Sequence, residues 1–513
     1  MSRRASYTEG LGFGALSFAS LALLSVVSSI VTARIYGIHV LGEFALVVAA
    51  ANAVVVLSST RELPGLIREI ATLPPRSPRL SALFFAVLSF SVTITATVGL
   101  LVAVAVWFLF NGPIDQPGLF WPGVAAIAGY VVLDNTTQNI EAVLTSFRAG
   151  RQLFPIRLGQ AASLFAIAVV LGLLYGTVWA LVAAQLIAAG AALIWRMVVV
   201  RRYVTLRLPP SELRAGFRTL PDIVRFGLKI APGALADGAS NETGIWILGS
   251  LAPIKVVGAY NRAWMIARQT MLLNVRVTEM LFPTLIERRH NGDHAGFDRV
   301  LVDTLRYVAG GMLVLASVGG GAAVGIMSVF GPGFGAASHA LTLLLLVPAL
   351  LTMSMVQRHT LYTFDRPWLA TASAFIRVAL TIGTAVPLTI ALGATGPALA
   401  LCIGLVADLA FATAYVLPRL HTPLRRLWSL RSAVGLVAAY AGGFVTSRAV
   451  YTELPNYGGL ALALALGTLV YFAALIGVGG YADRDRARFD RIVRGIRLRL
   501  GRRSIKATGA VPQ

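Results

Sequence analysis

Residues 259–280 read AYNRAWMIARQTMLLNVRVTEM, a stretch long and apolar enough to cross a bilayer that nevertheless carries Arg262, Arg268, Arg276 and Glu279. At about 100° per residue these four side chains fall within an arc of roughly 120° on one helix. Charge in a membrane helix is costly, so it ordinarily faces a cavity or a partner rather than lipid. Guanidinium suits an anionic cargo, because its planar fork pairs with two oxygens of a phosphate or carboxylate while remaining charged. The stripe therefore predicts a basic binding surface, with Arg268, the furthest from either end, as its leading member. The structural alternative has Arg262 reaching out to one interface and Arg276 paired with Glu279 near the other.

Charge of the opposite sign sits elsewhere. In YVVLDNTTQNIEAVLTSF, Asp134, Gln138 and Glu141 are spaced i, i+4 and i+7 and share one helix face. Such carboxylates either pair with arginines across a cleft or take up a coupling cation. A further apolar stretch adds Asp237, Asn241 and Glu242, of which Asp237 and Glu242 do not share a narrow stripe. Arg377 and Asp408 are isolated in two other apolar stretches, where a mutual ion pair competes with a binding role for Arg377. His290, His294 and His359 lie in polar connections without cysteines or acids at ligand spacing, so no metal is expected. Cys402 is the single cysteine and can form no intrachain disulfide. There is no GxxxxGK[ST] phosphate loop, so ATP hydrolysis by this chain is not expected, and no cofactor is implied.

The elements that must hold these residues are membrane helices. The 513 residues are 57% hydrophobic and only 13% charged, whereas a soluble domain is about one-quarter charged. About fourteen spans can be read: 11–33, 42–60, 82–110, 121–146, 156–176, 178–199, 224–251, 257–282, 304–330, 337–357, 367–392, 396–418, 432–449 and 458–480. No series of short alternating segments suggests a barrel. The first span follows Arg3 and Arg4 but is too long for a signal-peptide core, so it is expected to stay attached.

The net charge of +22 is spread over every second connection rather than gathered on one module, which argues for membrane orientation and against nucleic acid. Both termini are then cytoplasmic, and the chain is a multi-pass protein of the cytoplasmic (inner) membrane. Residues 211–222 are expected to form a surface helix, as is the basic tail, where Phe489, Ile492, Val493, Ile496 and Leu500 share a face. The glycine-rich stretch SVGGGAAVGIMSVFGPGFG is read as a close-packing element rather than a hinge.

An internal repeat organises the spans. IHVLGEFALV (38–47) matches IKVVGAYNRA (254–263), placing Gly42 and Phe44 opposite Gly258 and Tyr260, and LPGLIRE (63–69) echoes FPTLIER (282–288). Two matches at nearly constant offset imply parallel repeats about an axis along the membrane normal. The expected division is a six-helix bundle in 1–199, a connection in 200–223, a second six-helix bundle in 224–418, two additional helices in 419–480 and the tail in 481–513.

These stretches, ARIYGIHVLGEFALV, LAPIKVVGAYNRA and Pro283 at the close of the eighth span, resemble the polysaccharide-unit flippases of the multidrug/oligosaccharidyl-lipid/polysaccharide exporter superfamily. The resemblance implies an all-α polytopic fold with the two bundles facing each other in a V. It implies movement of a polyprenyl-pyrophosphate-linked oligosaccharide to the outer leaflet for surface polysaccharide assembly, in the company of membrane lipids, a polysaccharide polymerase and glycosyltransferases. Alternatives are a multidrug or organic-cation antiporter, a peptidoglycan-precursor flippase, and a membrane enzyme acting on lipid-linked sugars. The basic stripe speaks against cationic cargo, and the short outer connections speak against enzyme chemistry.

Overall fold

The computed structural model describes residues 7–71, 73–147, 149–205, 207–229, 231–423 and 429–478, with side chains from residue 20 onward except 272–280 and 283. The described residues contain helices and no strand, as expected of backbone that must satisfy its own hydrogen bonds in lipid. The expected tail helix and the side chains of Arg276 and Glu279 lie outside the described residues.

The first half comprises α1 (Tyr7–Leu57), α2 (Glu62–Ile70), α3 (Pro78–Asn111), α4 (Phe120–Gly129), a π-helical turn (Tyr130–Asp134), α5 (Asn135–Ser146), α6 (Gly150–Leu174) and α7 (Val178–Val200). Then follow α8 (Pro210–Leu228), α9 (Ala231–Leu251), α10 (Ile254–His290), α11 (His294–Val314) and a second π-helical turn (Leu315–Gly319). The remainder is α12 (Ala323–Ser328), α13 (Ser338–Leu344), α14 (Val347–Thr363), α15 (Pro367–Leu392), α16 (Thr395–Val416), α17 (Leu430–Glu453) and α18 (Tyr457–Gly477). Helix starts follow local chemistry. Ser77, Ser429 and Asn456 accept backbone N–H bonds at the starts of α3, α17 and α18, and prolines open α3, α8 and α15.

Eleven helices among the described residues are long and apolar enough to cross a membrane. The difference from the expected fourteen lies in three places. α9 and α10 carry the charges noted above and fall short in apolarity, and α1 is counted once although Gly37, at φ 71° and ψ 172°, interrupts it. Only glycine adopts that backbone without strain. The two arms of α1 on either side of Gly37 meet different partners. Ser29 and Ser25 of the first meet Arg262 and Gln269 of α10. Leu46, Asn52 and Val56 of the second meet Gly249, Glu242 and Gly238 of α9 in turn.

Two expected boundaries are corrected. α10 continues through Pro283 to His290 instead of closing at Pro283. The stretch 211–228 is one amphipathic helix, α8, with Pro221 inside it, so the following span begins at Ala231 and not at 224. Ile223 is buried against Gly65 of α2, and Gly216 and Gly227 abut the backbone at Ala82 and Thr60. The apolar face that resembled the start of a span is thus occupied by α2 and the start of α3.

The repeat has a physical counterpart. A Cβ on Gly42 would collide with the carbonyl oxygen of Ile254, and a Cβ on Gly258 would collide with that of Ile38. Residue 38 corresponds to 254 and residue 42 to 258, so the contact is reciprocal, as it must be between two copies related by a two-fold axis. It joins α1 to α10 at the end of the molecule opposite the basic connections. There, Arg34 also donates to the Val329 carbonyl at 3.0 Å and to the Tyr457 hydroxyl at 2.5 Å. The glycine-rich stretch packs closely, Gly321 against the Phe444 backbone and Gly325 against the Tyr451 ring, and so seats α17.

Candidate functional site

A cavity of about 500 Å³ opens between the two halves, lined by both arms of α1 and by α6, α7, α9 and α10. Its polar lining includes Arg262, Arg268, Gln269, Glu242, Asn52 and Gln185. The apolar positions of α10 turn the other way: Ala259, Ala263 and Ala267 are buried in the main core. The 3.6-residue period therefore presents Arg262, Met265 and Gln269 on one face, with Arg268 beside them.

Arg262 is 5% exposed. Its Nη1 donates to Ser29 Oγ at 2.8 Å, and its Nε is buried without a partner. No carboxylate among the described residues forms an ion pair with it. It does not reach outward to an interface. Arg268 is exposed within the chain, lines the cavity and has no ion-pair or hydrogen-bond partner among the described residues. Glu242 faces the same space. Its Oε1 accepts from Asn52 Nδ2 at 3.2 Å, its Oε2 is buried without a partner, and Arg268 acts on it only at a distance. Two guanidiniums against one carboxylate leave the described lining net positive.

The other described ionisable residues noted in the sequence are not in this cavity. Glu141 accepts from Arg196 Nη2 at 2.8 Å and from Arg157, both of its own half. Of the two readings of these carboxylates, pairing across the cleft does not hold for Glu141: Arg157 and Arg196, near the ends of two expected spans, lie within α6 and α7 and reach it from its own half. Asp134 lies in the π-helical turn beside a small void with Tyr130 and Gln185, and Gln138 is exposed on α5. Arg377 is 2% exposed and pairs with Asp237, which also accepts from Arg358 Nη1 at 3.0 Å. Asp408 is fully buried, lies 3.7 Å from Arg377 Nη1 and accepts from Ser354 Oγ at 2.6 Å. These four groups neutralise one another among α9, α14, α15 and α16. Neither Arg377 nor Asn241 lines the cavity.

Several lining residues escaped sequence reasoning. Ser25, Ser28, Ser29 and Thr32 form an i, i+3, i+4, i+7 stripe on the first arm of α1 and line the cavity. That spacing was legible, but hydroxyls in membrane helices usually bond their own backbone, as Thr32 does to the Ser28 carbonyl at 2.7 Å. Asn52 and Gln185, single amides in apolar runs, carried a weaker signal.

The sequence over residues 75–313 matches a family model described as "Polysaccharide biosynthesis protein". No curated protein matches the chain. Among solved structures, the chain is similar to the lipid II flippase MurJ in an inward closed conformation, with a TM-score of 0.58 at 13% identity over 90% of this chain and 98% of that one. It is also similar to an inward-facing multidrug resistance MATE family transporter of the MOP superfamily (0.54, 15% identity, 79% of this chain and 93% of that one). The MATE multidrug transporter DinF-BH gives 0.54 at 15% identity over 82% of this chain and 97% of that one. These likenesses establish the fold, and its bearers are a flippase and transporters rather than enzymes. The polysaccharide-biosynthesis match covers residues 75–313, less than half of the chain, and the solved structures, at 13–15% identity, share its fold.

Proposed function

We propose that the chain moves a polyprenyl-pyrophosphate-linked oligosaccharide across the cytoplasmic membrane for surface polysaccharide assembly, by alternating access of its two halves to the cavity between them. The observation that carries the reading is Arg262: a guanidinium kept almost entirely out of water, lining a cavity, with the Ser29 hydroxyl and the Met265 sulfur as partners and no carboxylate among the described residues. A buried charge without a counter-ion is expensive, and an anionic cargo supplies the missing charge. Arg268 adds a second cation on the same wall, and the Ser25 to Thr32 stripe adds hydroxyls suited to sugar. In this reading Arg276 and Glu279 continue the stripe toward the basic end of α10, Asp134 and Gln138 lie apart from the cavity, and the paired groups Glu141, Asp237, Arg377 and Asp408 hold each half rigid as it rocks. The bundle of residues 1–199 and the second bundle, which begins at Ala231 and runs to 418, are the moving bodies, and both termini face the cytoplasm.

The test is genetic complementation. A strain lacking the gene and carrying Arg268→Ala or Arg262→Ala, with the variant inserted at normal level, is expected to lose surface polysaccharide. Normal polymer from both variants refutes the role of the cavity arginines, and altered drug resistance with normal polymer points to a cationic cargo instead.

A further inference from the structure

A second cluster of cations lies at the opposite end of α10 from the glycine contact, sharing no residue with the cavity described above. A pocket of about 490 Å³ is lined by Arg289, His294, Phe364, Arg366, Arg419 and His421. Connections that are distant in sequence meet there: the α10–α11 turn, the α14–α15 loop and the segment after α16. Asp298 of α11 fixes the arrangement. It is fully buried, and its Oδ2 accepts from the backbone amides of His421 at 2.8 Å and Thr422 at 2.7 Å. That oxygen holds the segment, while Oδ1 is buried without a hydrogen-bond partner and forms no ion pair with the arginines among the described residues.

The cations are poorly compensated. Arg289 lies over the Phe364 ring, 5.3 Å from its centroid, and its Nη1 is buried without a hydrogen-bond partner. Its nearest acid, Asp365, is 3.6 Å away with a side chain 91% exposed, a pairing weakened by solvent. Arg366 forms no ion pair among the described residues. Arg419 spends one nitrogen on the Tyr415 carbonyl at 2.5 Å and keeps the rest. His294 and His421 stack with centroids 4.1 Å apart and planes 20° apart.

We propose that this pocket binds a phosphate group. Three guanidiniums, one already lying over an aromatic ring, and two imidazoles form a donor set for a tetrahedral dianion or a phosphodiester. The phosphate is either the headgroup of an anionic membrane lipid or a phosphate free in solution. The site is independent of the transport reading, since nothing in it requires a sugar cargo.

Calorimetric titration of the purified full-length protein with inorganic phosphate tests the free source. Native mass spectrometry after reconstitution in phosphatidylcholine with or without phosphatidylglycerol tests the headgroup source. The Arg289→Gln/Arg366→Gln variant is expected to weaken phosphate binding, or retention of phosphatidylglycerol, by about tenfold or more, the scale of a lost charge-assisted hydrogen bond. Arg201→Gln/Arg202→Gln, on a different basic connection, is expected to leave both unchanged. Saturable phosphate binding assigns a free ligand, and selective phosphatidylglycerol retention assigns a headgroup. Binding of neither by the native protein, or equal loss in the control variant, overturns the proposal. Should the double variant fold poorly, Arg366→Gln alone, on an exposed loop, serves in its place.

Discussion

Replacing Arg262 with methionine separates a binding charge from a structural one. The native side chain is 5% exposed, donates to Ser29 Oγ and more weakly to Met265 Sδ, and leaves Nε unsatisfied. Burying an ion costs several kcal/mol after relaxation, and one charge-assisted hydrogen bond returns about 1.5–3 kcal/mol. Methionine matches the length of the alkyl stem and carries no charge to desolvate. Arg262→Met is therefore expected to unfold at the same temperature as the native protein or higher, a stabilisation of roughly 1–3 kcal/mol. The same change removes a donor to the cargo. Affinity for a polyprenyl pyrophosphate is expected to fall by about 1.5–3 kcal/mol, roughly ten- to a hundredfold at about 1.4 kcal/mol per decade. Arg262→Lys, which keeps the charge but not the fork, is expected to recover part of the loss. Thermal unfolding in detergent and a ligand titration on the same preparation read both quantities. A lower melting temperature with unchanged affinity refutes the reasoning, because it makes Arg262 a structural residue with a partner that the geometry does not reveal.

Other perturbations follow from the same geometry. Arg377→Met leaves Asp408 buried without a cation and is expected to cost about 3–5 kcal/mol of stability, read by thermal unfolding; an unchanged unfolding temperature contradicts the proposed bracing role. Glu141→Gln leaves Arg196, itself 2% exposed, without its counter-ion, and a loss of similar sign is expected in the same assay. Gly42→Val places side-chain atoms on the Ile254 carbonyl and is expected to separate the halves at that end, seen as faster maleimide labelling of a cysteine placed at Ser29; the native Cys402 is buried and gives little background. Glu242→Gln removes the one carboxylate of the described lining and is expected to tighten anionic cargo by about 1–2 kcal/mol at an effective dielectric near 20 and a separation of about 10 Å; weaker binding would make Glu242 part of the recognition.

The sequence carried the fold far but the pairings poorly. Gly42 and Gly258 announced the repeat because a reciprocal backbone contact demands the same small residue twice. The stripe on α10 was legible because arginines in an apolar run cannot be absorbed by lipid, and two of its members, Arg262 and Arg268, do line the cavity. The partners of Glu141 were hidden because Arg157 and Arg196 read as interfacial charge, and only the tertiary fold brings α5, α6 and α7 within reach. Asp237, by contrast, required two arginines from α14 and α15, well over a hundred residues away. The misplaced start of α9 has a local cause: Ile223, Val224, Phe226 and Leu228 give α8 an apolar face that composition alone does not distinguish from a span.

Translocation by the purified protein measures what the cavity arginines do. In proteoliposomes loaded with a fluorescent polyprenyl-pyrophosphate-linked oligosaccharide, the native chain is expected to move the probe between leaflets. Arg262→Gln/Arg268→Gln, inserted to the same extent, is expected not to. Transfer at the native rate by that double variant would contradict the assignment of an anionic cargo to this cavity.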